Sequence, residues 1–463
     1  MRRRHALWLA PLLLLAGVLA APPPAQADPG DWTKISTGTV GIGYESSLHR
    51  TADGVLHVVY PRGAGSASTY GHTSVRPDGS LANQSTVLSP GWSTLDSAPA
   101  LIGDGTGLRM VFGGIQTLSS GFWSDGRMYT ATAPASGSSW TLPAQAVGIS
   151  HSAYGSYGTA GVELADGTPV AAFPLSSDIT WHVGTGPEAD QAFTFGACCV
   201  YDLAMVRSGA AVWLAWYANG GTSGTNGVFV KQILPTVGPT TKAPQSSQGA
   251  SSVSTGTVAL AARSGGGIYA AYCVGYPTCD HIGLWRVGSS TVRTVPGSRY
   301  AATMSLSPGP SGRLWVAWSD NIPRVRAVRT AVNGATFGAV RTVGMPPHKA
   351  AVYDLALDGT TGRGDVVVNV GDGFWHTQVV PGLTLRATPT TWRHGVRRTV
   401  TFTVTDAGAA VGAAHVQGGG RSCTTSGSGR CTITFPPSTA KGPITVRVTR
   451  SGYAAGAVRL RVT

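Results

Sequence analysis

Residues 48–60 read LHRTADGVLHVVY, two short apolar strands joined by a turn and closed by an aromatic residue. The same pattern recurs six more times before residue 371, with closing residues 43 to 61 positions apart. The copies are PALIGDGTGLRMVF (99–112), GVELADGTPVAAF (161–173), DLAMVRSGAAVWLAW (202–216), VALAARSGGGIYAAY (258–272), MSLSPGPSGRLWVAW (304–318) and DLALDGTTGRGDVVVNV (354–370). Repeats near 50 residues are typical of propeller blades, and each copy is too small to bury its own apolar faces. The pattern predicts an all-β fold, a seven-bladed β-propeller.

Turn chemistry supports a hairpin in each copy. Asp53-Gly54 and Asp166-Gly167 lie between apolar runs, and these residue types accept the positive φ of a tight hairpin turn. A third strand follows in every copy, and residues 85–88, 145–149, 291–295 and 339–343 are expected as fourth, outer strands. Residues 235–252 are rich in Pro, Ser and Gln and are expected to form a loop.

The seventh copy has no fourth strand of its own. We expect Trp32–Ser36 to supply it, which would join the two ends of the repeat region and remove an open sheet edge. The expected propeller then spans residues 28–381.

The first 27 residues have the composition of a signal peptide. Three arginines precede the apolar run LAPLLLLAGVLA, and Ala25-Gln26-Ala27 resembles a small-residue cleavage site. We therefore expect a secreted, extracellular monomer. No later apolar run is long enough for a transmembrane segment.

Residues 382–463 predict a second domain. Polar and apolar residues alternate in 400–404, 431–435 and 444–448, and turn residues recur between these runs, as in a β-sandwich. This region resembles the bacterial Ig-like modules appended to secreted enzymes, which implies a small Ig-like β-sandwich.

The charge of +13 is concentrated in this second domain. Residues 383–463 hold eleven basic residues and one acid, Asp406, whereas residues 28–382 hold 20 of each sign. Such asymmetry predicts an anionic cell-wall polymer or acidic polysaccharide as partner, and retention at the cell wall. Secretion argues against nucleic acid. A coding bias that places arginine on exposed strands is the alternative.

Six cysteines in an exported chain predict disulfides. Cys273 and Cys279 flank a short turn, and Cys423 and Cys431 flank a loop of hairpin size, so we pair them accordingly. Cys198 and Cys199 are adjacent, and either a strained bridge between them or two free thiols fits the sequence.

No metal-ligand spacing, nucleophile elbow or phosphate-binding loop occurs, so we expect no metal and no cofactor. In a propeller, the residues before each inner strand converge on one face of the central channel. They define the catalytic candidates Glu45, Asp96, Tyr157, Asp202, His348 and Asp354, and the ligand-binding candidates Tyr44, Tyr154, Tyr201, Arg299, Tyr300 and Tyr353. Tyr rings stack on sugars, acids transfer protons and Arg binds carboxylates. For any single acid, a bond to neighbouring backbone amides is the competing interpretation.

The repeat region also resembles the sialidase-like, BNR-repeat superfamily of secreted propellers. Residues 330–337 (TAVNGATF) keep the Thr, Gly, Thr and aromatic positions of its Asp box but have Val332 in place of Asp, and residues 136–140 keep only a Gly and a Trp. The Arg-Ile-Pro of that family is missing. The resemblance implies a carbohydrate ligand, while these departures argue against sialidase activity itself.

Two functions remain open. The chain is expected to be a secreted glycan- or cell-wall-binding propeller, a degenerate glycan-active enzyme being included in that class. The alternative is an active glycoside hydrolase, or a polysaccharide lyase that uses a Tyr or His base with a cation on the substrate carboxylate. Carboxylates gathered in a pocket would favour hydrolysis, whereas a shallow aromatic face would favour binding.

Overall fold

The computed structural model describes residues 30–38, 40–63, 68–88, 91–96, 98–103, 107–116, 127–142, 147, 158–175, 178–186, 190–195, 200–218, 224–246, 258–276, 278–320 and 324–463. These residues form an all-β chain in which the only helical element described is one 3₁₀ turn, Pro310–Gly312. None of the described helical residues forms a helix long and apolar enough to span a membrane. Tyr154, Tyr157, Cys198 and Cys199 lie outside the described residues.

Within the described part, residues 33–379 form seven four-stranded antiparallel sheets, here called sheets 1 to 7. The first strand of the described part is β1 (Thr33–Lys34), which belongs to sheet 7. Sheet 1 comprises β2 (Ser47–Arg50), β3 (Leu56–Arg62), β4 (Thr69–Val75) and β5 (Leu81–Thr86). Sheet 2 comprises β6 (Trp92–Leu95), β7 (Ala100–Gly103), β8 (Gly107–Gln116) and β9 (Arg127–Pro134). Sheet 3 comprises β10 (Ala160–Glu163), β11 (Pro169–Leu175), β12 (Asp178–Val183) and β13 (Gln191–Thr194).

Sheets 4 to 7 continue the series. They comprise β14 (Val200–Ser208), β15 (Ala211–Ala218), β16 (Gly227–Leu234) and β17 (Thr241–Lys242); β18 (Val258–Ala262), β19 (Ile268–Val274), β20 (His281–Arg286) and β21 (Val292–Thr294); β22 (Ala301–Pro308), β23 (Leu314–Asp320), β24 (Val325–Arg329) and β25 (Arg341–Val343); and β26 (Asp354–Gly359), β27 (Gly364–Asn369) and β28 (Phe374–Val379). The first strands of successive sheets are neighbours around one axis, with β26 beside β2. This radial arrangement is that of a β-propeller.

Each sheet begins with the hairpin that the repeat predicts. In the first, Gly54 has a φ of 85° and its N–H donates to the Thr51 carbonyl, while Asp53 Oδ1 accepts from Val55 N–H at 3.2 Å. The second strands are buried along their length, as in β23, where every residue is buried. They are covered on both faces, which explains why they read as continuous apolar runs.

Apolar side chains fill the space between every pair of neighbouring sheets. Such a side chain contributes about 1.5–3 kcal/mol when it is fully buried. Contacting clusters hold Tyr60 with Phe112 between sheets 1 and 2, Ile102 with Phe173 (2 and 3), Trp181 with Trp216 (3 and 4), Tyr217 with Trp285 (4 and 5), Leu284 with Trp318 (5 and 6), Trp315 with Val366 (6 and 7), and Phe374 with Tyr60 (7 and 1).

The outer strands differ most from the sequence-based expectation. In sheet 2 the outer edge is formed by isolated bridges, Met128 to Val147 and Thr132 to Thr141, among the described residues. The expectation of a loop over 235–252 is wrong at Thr241–Lys242, which pairs with Phe229 and Val230 as strand β17. A pair this short leaves little pattern in the sequence because its backbone, not its side chains, makes the contact.

Sheet 7 receives its outer strand from the start of the described chain. Thr33 lies opposite His376 and Lys34 opposite Trp375 in antiparallel register. The buried Ile35 continues the contact, with its N–H donating to the Phe374 carbonyl at 2.9 Å.

Residues 384–462 form two further sheets around one apolar core, here called the tail. One sheet contains β29 (Thr384–Thr388), β31 (Arg398–Asp406), β32 (Ala409–Ala410) and β35 (Arg430–Phe435). The other runs in the order β30 (Thr391–Trp392), β37 (Gly456–Val462), β36 (Gly442–Thr449), β33 (His415–Gly418) and β34 (Arg421–Thr424). Side chains from both sheets, among them Phe402, Phe435 and Val446, share the core.

Disulfides join Cys273 to Cys279 and Cys423 to Cys431, which confirms both of these predicted pairings. The first bridge closes the turn between β19 and β20, and the second joins β34 to β35, so that it links the two sheets of the tail.

A buried ion pair joins the tail to sheet 6. Asp406 accepts hydrogen bonds from Arg329 through Nε at 2.9 Å and through Nη2, and Arg313 lies 3.7 Å away. Asp406 is the acid that stands alone among the bases of the tail, and it is buried. Its charge is therefore neutralised within the contact instead of offsetting the exposed arginines.

Candidate functional site

The inner strands of the seven sheets enclose a cavity of about 320 Å³. These strands are β2, β7, β10, β14, β18, β22 and β26. One segment from each sheet contributes to its wall. These segments are residues 45–48, 98–101, 158–161, 202–205, 258–260, 304–306 and 354–356. The cavity is thus built from residues that lie more than 300 positions apart in the chain.

Three carboxylates line this cavity, namely Glu45, Asp202 and Asp354. Burial raises the pKa of Glu45 well above its usual range, and the charges of Asp202, Asp354 and Asp96 raise it further. Because like charges must lie close together to act in this way, four of the six catalytic candidates are brought together. Glu45 is therefore held in its protonated form at a pH where an exposed glutamate is ionised.

Asp354 is buried and anchored. It accepts hydrogen bonds from Ser46 N–H at 2.9 Å and from Ser46 Oγ at 3.0 Å. Burial raises the pKa of Asp354 to about 7, against the effect of these hydrogen bonds, and Asp202 contributes to the rise. Since Ser46 follows Glu45 directly, Asp354 fixes the backbone that carries Glu45 across the junction of sheets 7 and 1.

Asp96 is likewise buried and bonded. It lies in the break between β6 and β7, where Thr159 Oγ1 donates to Oδ2 at 2.5 Å and Ala98 N–H donates to Oδ1 at 3.2 Å. These bonds connect sheet 2 to sheet 3. Asp96 thus acts on the cavity through its charge and its position behind the wall.

Asp202 differs from these two because it is only partly buried. It has a φ of 45° and stands where the pairing of β14 with β15 shifts register between Tyr201 and Ala204. A bulge of this kind redirects a side chain, and left-handed backbone in a residue other than glycine is costly. The backbone distortion therefore lies at a carboxylate that lines the cavity.

The cavity contains carboxylates without cations. Among its described wall residues there is no Lys, Arg, His or aromatic side chain; the remainder are mostly Ala, Gly, Ser, Leu and Met. The chain segments between the described ranges after residue 30 hold no Lys or Arg in their sequence. A ligand carboxylate would find no fixed positive partner among the described residues of this wall.

The other described candidates do not line the cavity. Arg299 and Tyr300 are exposed, with the guanidinium 4.6 Å from the centre of the Tyr300 ring. His348 is exposed, at a φ of 62°, and the neighbouring Lys349 forms an ion pair with Asp372.

The tyrosine candidates pack between strands. Tyr201 stacks on Tyr217 with ring centres 6.0 Å apart, and the Tyr44 ring lies against Gly41. Tyr353 donates its N–H to the Asn369 carbonyl at 2.8 Å. None of these three tyrosines is among the described residues that line the cavity.

Sequence reasoning did not select Ser46 and Thr159, whose hydroxyl groups bind the buried carboxylates. Ser46 had one available signal, its position directly after Glu45. Thr159 had none, because its partner Asp96 lies 63 residues away.

The described residues contain no group of three His, Cys, Asp or Glu side chains that could hold a metal ion. Among the described contacts, the acids Asp96 and Asp354 instead use oxygen atoms to accept protein hydrogen bonds.

No family model matches the sequence, and no curated protein is significantly similar to it. Solved structures of similar fold include an α-L-arabinanase of Penicillium chrysogenum complexed with arabinobiose, at 10% identity, covering 75% of this chain and 98% of that one, with a TM-score of 0.42. The polysaccharide lyase Uly1 covers 75% of this chain and 92% of its own at 9% identity and a TM-score of 0.43. The Aleuria aurantia lectin, in complex with Fucα1-6GlcNAc, covers 74% and 93% at 11% identity and a TM-score of 0.39. These likenesses concern the fold, and they assign no residue role or substrate to this chain.

Proposed function

We propose that this chain is an exported seven-bladed propeller that binds a glycan at the cavity and hydrolyses a glycosidic bond there. In this proposal residues 1–27 are a signal peptide, residues 28–381 the propeller closed by the strand at 32–36, and residues 382–463 an Ig-like domain. The mature protein is a monomer held at the cell wall by its basic tail.

The observation that carries the proposal is the division of four acids into two kinds. Asp96 and Asp354 are buried and accept hydrogen bonds from Thr159 and Ser46, whereas Glu45 and Asp202 are only partly buried; Glu45, Asp202 and Asp354 line the cavity. Burial raises the pKa of Glu45, and the charges of Asp202, Asp354 and Asp96 raise it further. A carboxyl group whose pKa is raised can act as general acid, and a second carboxyl group in the same cavity can act as base or nucleophile.

Glycoside hydrolysis uses such a pair directly. Glu45 would donate its proton to the glycosidic oxygen as the bond between that oxygen and the anomeric carbon breaks. The Asp202 carboxylate would assist attack at the anomeric carbon, and water supplies the oxygen and hydrogen atoms of the products. Asp354 and Asp96 are positioning residues in this scheme.

The absence of cations from the described wall favours neutral sugars. A sialidase or a lyase acting on uronic acid needs a positive group on the ligand carboxylate, and here the wall would repel it. We therefore propose that the substrate is a neutral glycoside, and we do not propose a lyase that acts on uronic acid.

The test compares the mature protein with Glu45→Gln and Asp202→Asn on a panel of neutral aryl glycosides and oligosaccharides. Each substitution is expected to lower kcat by about 100-fold or more, since a positioned acid or base contributes that much. Because Glu45 must be protonated, activity is expected to fall as pH rises through its raised pKa. Asp166→Asn, an exposed turn acid, is the matched control and is expected to leave kcat unchanged.

Retained activity in both variants would contradict these roles. Binding without turnover is the second candidate, favoured by the weak motif content of the sequence. A glycan array that shows binding by the parent protein, together with no product from any bound glycan, would replace hydrolysis with a lectin function.

A further inference from the structure

One face of the tail is basic. It is the outward face of the sheet β30–β37–β36–β33–β34, on which Arg447, Arg459 and Arg461 are exposed, with Lys441 at its edge. Register places Arg459 opposite Thr445 and Arg447 opposite both Ala457 and Gln417. These four residues are here called the basic face.

The charges of the basic face are not neutralised within the protein. Every residue of 383–463 is described, and none of these four side chains forms an ion pair there. Asp406, the acid of this region, is buried against Arg329 and Arg313 of sheet 6. The face therefore presents uncompensated positive charge to the outside.

The face is also concave at one end. A groove of about 610 Å³ lies where β30, β36 and β37 meet, and its lining includes Lys441, Arg459, Arg461, Thr391 and Pro443. Three of the four basic-face residues thus surround one depression, which is more than scattered surface arginines provide.

We propose that the basic face binds a linear acidic polysaccharide that bears carboxylate groups. Arg guanidinium forks bind carboxylates with two parallel hydrogen bonds. Residues two apart on one face of a strand lie about 7 Å apart, so Arg459 and Arg461 form a row that suits a polymer with repeated charges.

The remaining side chains of the face distinguish this polymer from other polyanions. Thr391, Thr445, Thr449 and Gln417 are exposed there and offer hydroxyl and amide groups to sugar hydroxyls. The strands of this face carry no exposed Phe, Tyr or Trp on which nucleic acid bases could stack, and His415 is their one exposed ring. The inference does not depend on chemistry at the channel cavity, because the two sites lie on different domains and take ligands of different charge.

The test uses the full mature chain and polygalacturonate as the probe. The triple variant Arg447→Ser/Arg459→Ser/Arg461→Ser is compared with Arg386→Ser/Arg398→Ser/Arg430→Ser, which removes the same charge from exposed positions on the other tail sheet. The first triple is expected to lose at least about tenfold in affinity for polygalacturonate and to show a weaker salt dependence. The second is expected to bind within about threefold of the parent.

Equal losses in the two triples would reduce the effect to net charge and overturn the proposal, as would unchanged binding by the first triple. Inorganic polyphosphate and single-stranded oligo(dT) serve as competing polyanions, and binding of either as tight as that of polygalacturonate would also overturn it. Thermal unfolding of both triples, expected to be unchanged because the side chains are exposed, separates loss of binding from loss of fold. Hydrolysis of neutral glycosides is expected to be the same in all three proteins, so failure here leaves the channel proposal intact.

Discussion

Two histidines of sheet 1 are fully buried against each other. The rings of His57 and His72 stack with centroids 5.2 Å apart, and His57 Nδ1 lies 2.9 Å from His72 Nε2. Ser85 Oγ lies 3.1 Å from the other nitrogen of His72, and Trp140 packs against the same ring. Burial lowers the pKa of His57 to about 4, with His49 adding to the effect and Asp53 opposing it.

The pair predicts acid sensitivity of the fold. Burial, followed by the charge of His57, lowers the pKa of His72 to about 3. Below pH 6.5 these histidines become protonated in the unfolded chain but stay neutral in the folded protein. The free energy of unfolding therefore falls as pH falls from 6.5 toward 4. Each histidine is expected to account for about 3 kcal/mol of this loss.

Urea denaturation between pH 4 and pH 7 measures the effect. In His57→Asn/His72→Asn the slope of unfolding free energy against pH should become shallower, whatever the stability at pH 7. His415→Asn, an exposed histidine of the tail, is the control and should keep the parent slope. A double variant with the parent's acid sensitivity would assign that sensitivity to other groups.

At this scale the sequence located acids better than it located other candidates. Glu45 stands just before an inner strand, Asp96 at a break in one, and Asp202 and Asp354 within the first residues of one, so their position in the repeat indicated which face they approach. Arg299, His348 and Tyr353 also precede inner strands, but they are not among the described residues that line the cavity. Whether such a residue lines the cavity depends on the geometry of its loop. That geometry depends on contacts such as the one between Arg299 and Tyr300, which the periodicity of the sequence does not reveal.

At the scale of elements, the short strand β1 makes more contacts than its two residues imply. The carbonyl of Ile35, just after it, accepts hydrogen bonds from Thr73 Oγ1 at 2.7 Å, Gln84 Nε2 at 3.0 Å and Tyr60 Oη at 3.3 Å, all in sheet 1. Its N–H meanwhile bonds to sheet 7. One peptide segment therefore links the last sheet to the first.

Removal of this link is expected to open the propeller. Deletion of residues 28–37 should give a protein that fails to fold or melts far below the parent, since three polar groups of sheet 1 lose their acceptor. Ile35→Ala keeps the backbone and removes a fully buried side chain, at an expected cost of about 2–4 kcal/mol in unfolding free energy. Differential scanning calorimetry measures both.

Ile42→Ala is the matched control, because Ile42 lies in the same segment and is 60% exposed. Its Tm should stay near that of the parent. A deletion protein with an unchanged Tm would show that the ring does not need the N-terminal strand.

Strand prediction succeeded where side chains carry the signal and failed where backbone alone does. The third strand expected after the first hairpin is present as β4, because it lies between buried apolar neighbours that leave a clear pattern in the sequence. Strands β13 and β17 were not predicted, since their residues are exposed or half-exposed and their pairing is made by main-chain bonds at the rim. The same reasoning explains why the exposed outer edge of a sheet is the hardest part to assign from sequence.

At the scale of the whole molecule, the tail is fastened to the propeller and not merely tethered. Besides the bonds from Arg329 to Asp406, Thr336 Oγ1 donates to the Ala407 carbonyl at 3.0 Å. The Arg329 guanidinium also lies 5.7 Å from the rings of both Trp315 and Tyr453. The turn that resembles an Asp box, residues 330–337, thus contributes directly to the domain contact.

A fixed orientation matters for the two proposed binding surfaces. If the tail holds an acidic polymer while the channel receives a neutral glycan, the fixed geometry sets where the channel opens relative to the bound polymer. Charge counting alone predicted the basic tail, but it counted Asp406 as part of that surface. The partner of Asp406 lies 77 residues earlier in the chain, which no local pattern indicates.

Substitution Asp406→Asn is expected to loosen the tail from the propeller. It leaves the Arg329 charge buried without its counter-ion, and breaking a buried pair in this way costs about 3 kcal/mol or more. Because the tail has its own core and disulfide, the loss should appear as separate unfolding transitions in calorimetry and a larger radius of gyration in solution scattering. Asp372→Asn breaks ion pairs of an aspartate whose side chain is 45% exposed and should change neither quantity, since exposed pairs contribute little. If Asp406→Asn keeps one transition and the parent's radius of gyration, the apolar and main-chain contacts around Ala407 and Tyr453 hold the domains together without the ion pair.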